Sequence, residues 1–274
     1  MGCGSSMARR ARFACVALVA SAALPVWAWG PAVHQLVTTK AIDTLPKQLK
    51  PFYKDHRYEL PSLGLEAAVA PDPPERRFQL DKLLPYPFPD VPVAEAPFKE
   101  RFGEAAAGVG RLPWLVLESH ARLVAAFKSG DKARILAESD ELAALAADLH
   151  NPLALSDNSD GQKTGQHGLW ERFSVRLPES MEKRLKVEPD AARFLDQPER
   201  FVFDLVRESY VWLDNVLYAE ALARRGQAGY DSFFYEAFER HAGELLSRRL
   251  SRAAEDAGSF WYSAWMAAGR PELK

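Results

Sequence analysis

The chain reads as an all-α protein, and three observations carry that reading. Apolar residues recur at helical spacing along most of its 274 residues. No stretch alternates apolar and polar residues for long enough to form a sheet. The breaks between periodic stretches fall at Pro, Gly and Asn, where helices stop. There is no internal repeat of fixed period, and residues 29–274 suit one compact multi-helix domain around a single core.

The first element is a targeting segment, residues 1–28. Arg9, Arg10 and Arg12 form a positive n-region, the stretch from Cys15 to Val26 is apolar, and Val26 and Ala28 are small residues where a signal peptidase reads. Cleavage after Ala28 leaves Trp29 as the first residue of an exported chain, periplasmic or secreted. The apolar stretch is too short to span a bilayer, and no other run reaches the roughly 18 residues a spanning helix needs. Both cysteines, Cys3 and Cys15, leave with the leader, and the sequence before Cys15 lacks a lipoprotein signal. The mature chain then has no disulfide and no thiolate, so a metal site must use His, Asp, Glu and the new α-amine. Removing Arg9, Arg10 and Arg12 takes the formal charge from −2 to −5. That mildly acidic balance argues against tight nucleic-acid binding, which depends on many Lys and Arg contacts to phosphate. A small phosphate-containing molecule, a lipid or a nucleotide remains compatible with it.

The helices follow in order. From His34 to about Leu45, apolar side chains fall at Leu36, Val37, Ala41, Ile42 and Leu45, and Pro46 ends the run. Lys47 to Leu63 reads as a second helix kinked near Pro51. Residues 70–98 carry eight prolines, from Pro71 to Pro97, and are expected to be an irregular, functional loop. Leu112 to Lys128 and Lys132 to His150 are strong helices, the second stopped by Asn151-Pro152. Leu155 to Gly168 is rich in Ser, Asp, Asn, Gly and Gln and reads as a loop. Phe201 to Arg225, Tyr230 to Ser247 and Ala253 to Ala268 complete the set, with Gly269-Arg270-Pro271 ending the last. Trp114, Trp212, Trp261 and Trp265 sit among apolar neighbours at helical spacing and are expected in the core. His56, His120 and His241 have no partner pattern. His150 is two residues from Asp148, which turns it to another face of the helix.

Several segments taken together resemble the superfamily of zinc-dependent phospholipases C and fungal single-strand-specific nucleases, with their bacterial relatives. They are Trp29-Gly30 with His34; Ala41-Ile42-Asp43; Pro71-Asp72 followed by Arg77-Phe78-Gln79-Leu80-Asp81; Leu112-Pro113-Trp114; Asp148 through Leu153; Asn158 through Gly165; and the tail from Trp261 to Pro271. The resemblance implies an all-helical fold around three zinc ions, held by the terminal Trp, several His and acidic residues. Zinc-bound water attacks a phosphoester there, and the metals neutralise the phosphoryl charge.

Carried over residue by residue, the likeness is uneven. Trp29 and His34 match the terminal Trp and first His, Asp72 the first Asp ligand, and Asp148 the helix Asp. The other expected ligand positions hold Arg77, Ala144, Ala154, Trp170 and Ser174. Ala offers no lone pair, and Arg carries a fixed charge that repels a metal. The three survivors Trp29, His34 and Asp148 would share one zinc ion, so the resemblance implies one ion at most. A guanidinium at position 77 either pairs with Asp72 or Asp148 in place of the metal or faces solvent. Trp170 would fill space left by zinc. His167 and Glu171 have i, i+4 spacing and could rescue the lost pair if the preceding loop has shifted.

Three functions stay open on the sequence. One is an exported, catalytically impaired or inactive homologue. Another is an active metal-dependent phosphodiesterase of lipid or nucleic acid with a reduced centre. The third is a purely structural or binding helical protein.

Overall fold

A computed structural model describes residues 28–60 and 74–273. Residues 1–27, read on the sequence as most of a targeting segment, and Asp72 with the start of the proline-rich stretch, lie outside the described residues. Among those described there is no strand, and no helix is long and apolar enough to cross a membrane.

Among the described residues, nine α-helices of five residues or more follow one another: α1 (Pro31–Thr44), α2 (Lys50–Asp55), α3 (Glu95–Phe102), α4 (Leu112–Ser129), α5 (Lys132–Leu149), α6 (Leu177–Met181), α7 (Pro198–Tyr210), α8 (Leu213–Arg224) and α9 (Ser232–Ala267). Their ends follow local chemistry. Pro31 stands in the first turn of α1, where its missing N–H costs nothing. The Asp131 carboxylate caps α5 by accepting from Arg134 N, and Asp231 caps α9 by accepting from Phe234 N. Gly130 ends α4 in the left-handed conformation, at φ 70°.

α9 is the axis of the fold. It runs for 36 residues and packs on α1, α4, α5, α6 and α8. Trp261 on α9 stacks on Tyr53 of α2, with centroids 4.7 Å apart. Both aromatics also reach Ser139 of α5. The Trp261 indole donates to its carbonyl at 2.9 Å, and the Tyr53 hydroxyl meets its Oγ at 2.8 Å. Three helices are thereby fixed at one point, with each buried polar tip paired. A second aromatic group, Phe78, Phe98, Trp114 and Phe203, closes the other side of α4.

The structure corrects several sequence expectations. Pro51 opens α2 instead of kinking a longer helix, as its fixed φ and missing donor favour. The stretch from Phe201 to Arg225 is two helices, α7 and α8, parted at Val211-Trp212 without a Pro or Gly. The stretches ending at Ser247 and beginning at Ala253 are one helix. The polar run between them contains no breaker, and its Leu250 is fully buried. The proline-rich stretch contains α3 and two 3-10 turns, Pro74–Arg76 and Leu80–Lys82. Trp114, Trp261 and Trp265 are buried as expected, but Trp212 is only half-buried and lines a cleft with Tyr218, His241 and Arg248.

Candidate functional site

The site begins where the described chain begins. Ala28 and Trp29 are both fully buried. The Trp29 indole donates to Ala147 O at 2.8 Å, one residue before Asp148, and its ring lies 5.6 Å from Phe173. The Ala28 carbonyl accepts from the Asn151 side chain, and Gly30 N donates to Ser174 O at 3.2 Å. These contacts aim α1 so that His34, in its first turn, faces the end of α5.

There His34 Nε2 lies 2.8 Å from Asp148 Oδ1. A carboxylate only accepts, so the imidazole is the donor. Asp148 is completely buried. Trp29, His34 and Asp148 are thus brought together around the last turn of α5.

The second oxygen of Asp148 is taken by a guanidinium, and that guanidinium belongs to Arg76. Its Nε donates to Oδ2 at 3.0 Å, and one terminal nitrogen lies 2.8 Å away. Its other terminal nitrogen is 3.7 Å from Glu141 Oε2. Glu141 stands seven residues before Asp148 on α5, which places the two on one face. Ala144 lies between them on that face and is half-buried. It has no side chain beyond Cβ to occupy the space.

The segment bearing Arg76 is pinned from both sides. Arg111 N donates to Glu75 O at 2.8 Å, Leu112 N to Arg77 O at 3.1 Å and Gln79 N to Val109 O at 2.8 Å. Phe78 N donates to Ala154 O at 2.9 Å. Gly110 permits this approach. Its φ is +91°, and a Cβ there would sit 2.1 Å from Arg77 O.

Arg77 therefore does not hold the role open to it on the sequence at Asp148. Arg76 is the last residue of the 3-10 turn Pro74–Arg76, and the chain leaves that turn at Arg77. Arg76 turns toward α5, while the Arg77 guanidinium lies over the Trp170 ring, 4.8 Å from its centroid. The other partner considered for it, Asp72, lies outside the described residues. The remaining expected ligand positions are built into the fold. Ala154 is buried. Trp170 is 3 % exposed, and its backbone N–H donates to Asp160 Oδ1 at 3.1 Å. Ser174 is buried, and its Oγ accepts from Asn151 at 3.0 Å.

His167 and Glu171 are not brought together as a rescue pair. Gly168 between them is left-handed, at φ 81°, so His167 precedes the helical turn Leu169–Glu171. Both residues are exposed, and Glu171 pairs with Arg176 at 3.1 Å. His150 also faces away from the site. It is fully buried, with Nε2 3.0 Å from Asp256 Oδ2 and Nδ1 accepting from Arg249 at 2.8 Å. Burial is the main cause that pushes its pKa below the usual histidine value, and the adjacent Arg249 charge lowers it further.

Two carboxylates hold the loop from Ser156 to Gly168 beside this centre. Asp81 accepts from Ser156 Oγ at 2.7 Å, Asp157 N at 2.8 Å and Tyr210 OH at 3.3 Å. Burial, with the Asp81 charge added, raises the Tyr210 pKa to about 12. Asp160 accepts from Gly168 N at 2.9 Å as well as from Trp170 N.

Zinc, the metal the resemblance implies, does not fit these residues as they are folded. The Asp148 carboxylate has an imidazole on one oxygen and a permanently charged guanidinium on the other, and a divalent ion cannot share that oxygen with Arg76. Among the described residues, no three His, Cys, Asp or Glu side chains are grouped to hold a metal ion. Arg76 and Glu141 carry no motif of their own. A sign of them was the i, i+7 spacing of Glu141 and Asp148 across Ala144, together with an arginine doublet whose register the short loop left undetermined.

No family model matches the chain, and no curated protein matches it.

Proposed function

We propose that the protein is an exported, catalytically silent homologue of the zinc-dependent phospholipases C and single-strand nucleases, in which an arginine stands in for metal charge. The observation that carries this reading is the contact of Arg76 with the buried oxygen of Asp148. That family's reaction needs metal-bound water and a clamp of cations on the phosphoryl oxygens. Here the carboxylate that would serve a metal is bound to a side chain that can release no nucleophile. Ala144, Ala154, Trp170 and Ser174 supply no metal-grade donor in compensation. What the fold retains is a buried junction between the start of α1, the end of α5 and the Glu75–Gln79 segment.

The test is turnover. The processed chain, made through its own leader so that Trp29 carries the free amine, is assayed on bis(p-nitrophenyl) phosphate, a short-chain phosphatidylcholine and single-stranded DNA, with zinc and with chelator. No chelator-sensitive hydrolysis of any of them is expected. Hydrolysis that zinc supports, chelator abolishes and Asp148→Ala removes would make the protein an active phosphodiesterase and overturn the reading.

A further inference from the structure

A cleft of about 310 Å³ opens between α8 and α9, two helices joined by a short turn and packed side by side. Its floor is apolar. Ala219 is buried and gives the cleft its depth, and Leu222 and Leu245 are half-buried beside it. Trp212 stands half-buried at one end, and Tyr218 is 63 % exposed. Asn215, His241, Glu244 and Arg248 complete an exposed polar rim. α8 is anchored through its buried Glu220. Gln166 Nε2 donates to Leu217 O at 2.8 Å and to Glu220 Oε2 at 2.7 Å, and Arg172 pairs with Glu220 Oε1 at 2.8 Å. The cleft therefore keeps its shape without a ligand, which lowers the cost of binding one.

We infer that this cleft binds a short neutral oligosaccharide, with Trp212 and Tyr218 as its stacking platforms. The state of Asp148 does not enter. The indoles of Trp29, Trp114, Trp261 and Trp265 each donate to a backbone carbonyl. Among the described residues the Trp212 indole has no such partner, and neither do the side-chain polar groups of Asn215, Tyr218 and His241. Four groups with open hydrogen-bonding capacity thus line an aromatic cleft. A pyranose matches that arrangement. Its C–H face packs on an aromatic ring, and the hydroxyls at its edge bond to planar amide, imidazole, carboxylate and guanidinium groups. Charge selects a neutral ligand. Glu244 and Arg248 pair at 3.1 Å, so the charged side chains of the rim cancel. Arg248 also lies 5.9 Å over the Trp212 ring, where a cationic ligand would sit. Trp212 and Tyr218 stand about 9 Å apart along the helix axis, a span that suits linked rings over a single one. The volume, at the small end for ligand sites, keeps the chain short. A docked helix would need apolar anchors at i, i+3 and i+7 along the groove, and α9 offers His241, Glu244 and Arg248 there.

Cellotetraose and maltotetraose, neutral chains that differ in linkage, are the probes. The processed chain is titrated with each, and binding is read from the indole N–H resonance of Trp212, assigned by its absence in Trp212→Phe. That resonance should shift saturably with at least one of the two sugars. Tyr218→Ala, at an exposed position, should melt as the native chain does and bind about tenfold more weakly or worse. Trp212→Ala should lose binding measured by calorimetry, and if it does not fold, Tyr218→Ala alone carries the test. Oligogalacturonate of the same length, which is acidic, should bind more weakly than the neutral chain.

No saturable shift with either neutral sugar, or a shift confined to other resonances, would overturn the inference. So would binding that Tyr218→Ala leaves unchanged, or tighter binding of oligogalacturonate. A concentration-dependent dimer that Tyr218→Ala dissociates would assign the face to a second copy of the chain and overturn it too. None of these results touches the catalytically silent reading, which turnover decides.

Discussion

Two buried groups two residues apart, Asp148 and His150, settle their charge in opposite ways. Asp148 takes the Arg76 guanidinium on one oxygen and the His34 imidazole on the other. His150 stays neutral between Asp256 and the Arg249 guanidinium, which also pairs with Glu208 at 3.0 Å, while Arg193 lies 3.7 Å from the other Asp256 oxygen. Protonating His150 would place a cation against Arg249. Its folded pKa lies below the unfolded value, so the unfolded chain takes up the proton first. The stability this contributes is complete above about pH 6.5 and falls as pH drops below it. His120, also lowered by burial, acts in the same direction. Thermal melting from pH 7.5 to pH 5.5 should show this loss, and a curve that is flat or rises toward acid would contradict it. Arg76→Met, which leaves Asp148 buried without its cation, should cost about 3–5 kcal/mol in chelator, read by urea unfolding. Of these groups, Trp29, His34 and Asp148 were legible in the sequence because each belongs to a motif. Arg76 was not, because adjacent arginines at the end of a short 3-10 turn differ only in which way they face, and the segment is pinned by bonds to Val109, Arg111, Leu112 and Ala154.

At the scale of elements, α9 shows how packing overrides a local reading. Its polar middle resembles a break, yet Arg249 and Leu250 are buried, and Arg249 reaches across to His150 and Glu208. Long contacts of this kind leave no trace in periodicity. The helices framed by Pro, Asn or Gly, α1, α4 and α5, were legible to within a few residues, since their ends are fixed by local backbone chemistry. The parting of α7 from α8 has no such marker and was missed. Gly258 of α9 sits where α1 crosses. A Cβ there would lie 2.0 Å from Thr44 Oγ1 and 3.1 Å from Ala41 O. An alanine in a helix interior ordinarily gains about 1 kcal/mol over glycine. Here the crowding wins, and Gly258→Ala should destabilise the fold by about 1–3 kcal/mol in urea. A gain in stability would show that α1 and α9 are not held at this distance.

At the scale of the molecule, the first described residues are interior ones. Ala28 and Trp29 are buried together, and the carbonyl between them is held by Asn151. A chain cut after Ala28 would begin at Trp29, whose indole donates to Ala147 O near the end of α5. The all-helical class was legible in the sequence because it depends on periodicity summed over many residues. The state of the centre was not, because it depends on one side chain supplied by a loop. The most direct measurement is diffraction at the zinc absorption edge from crystals of the processed chain grown with excess zinc. The account predicts the Arg76 guanidinium on Asp148 and no anomalous peak beside His34. A peak within bonding distance of His34 and Asp148, with Arg76 displaced, would contradict it.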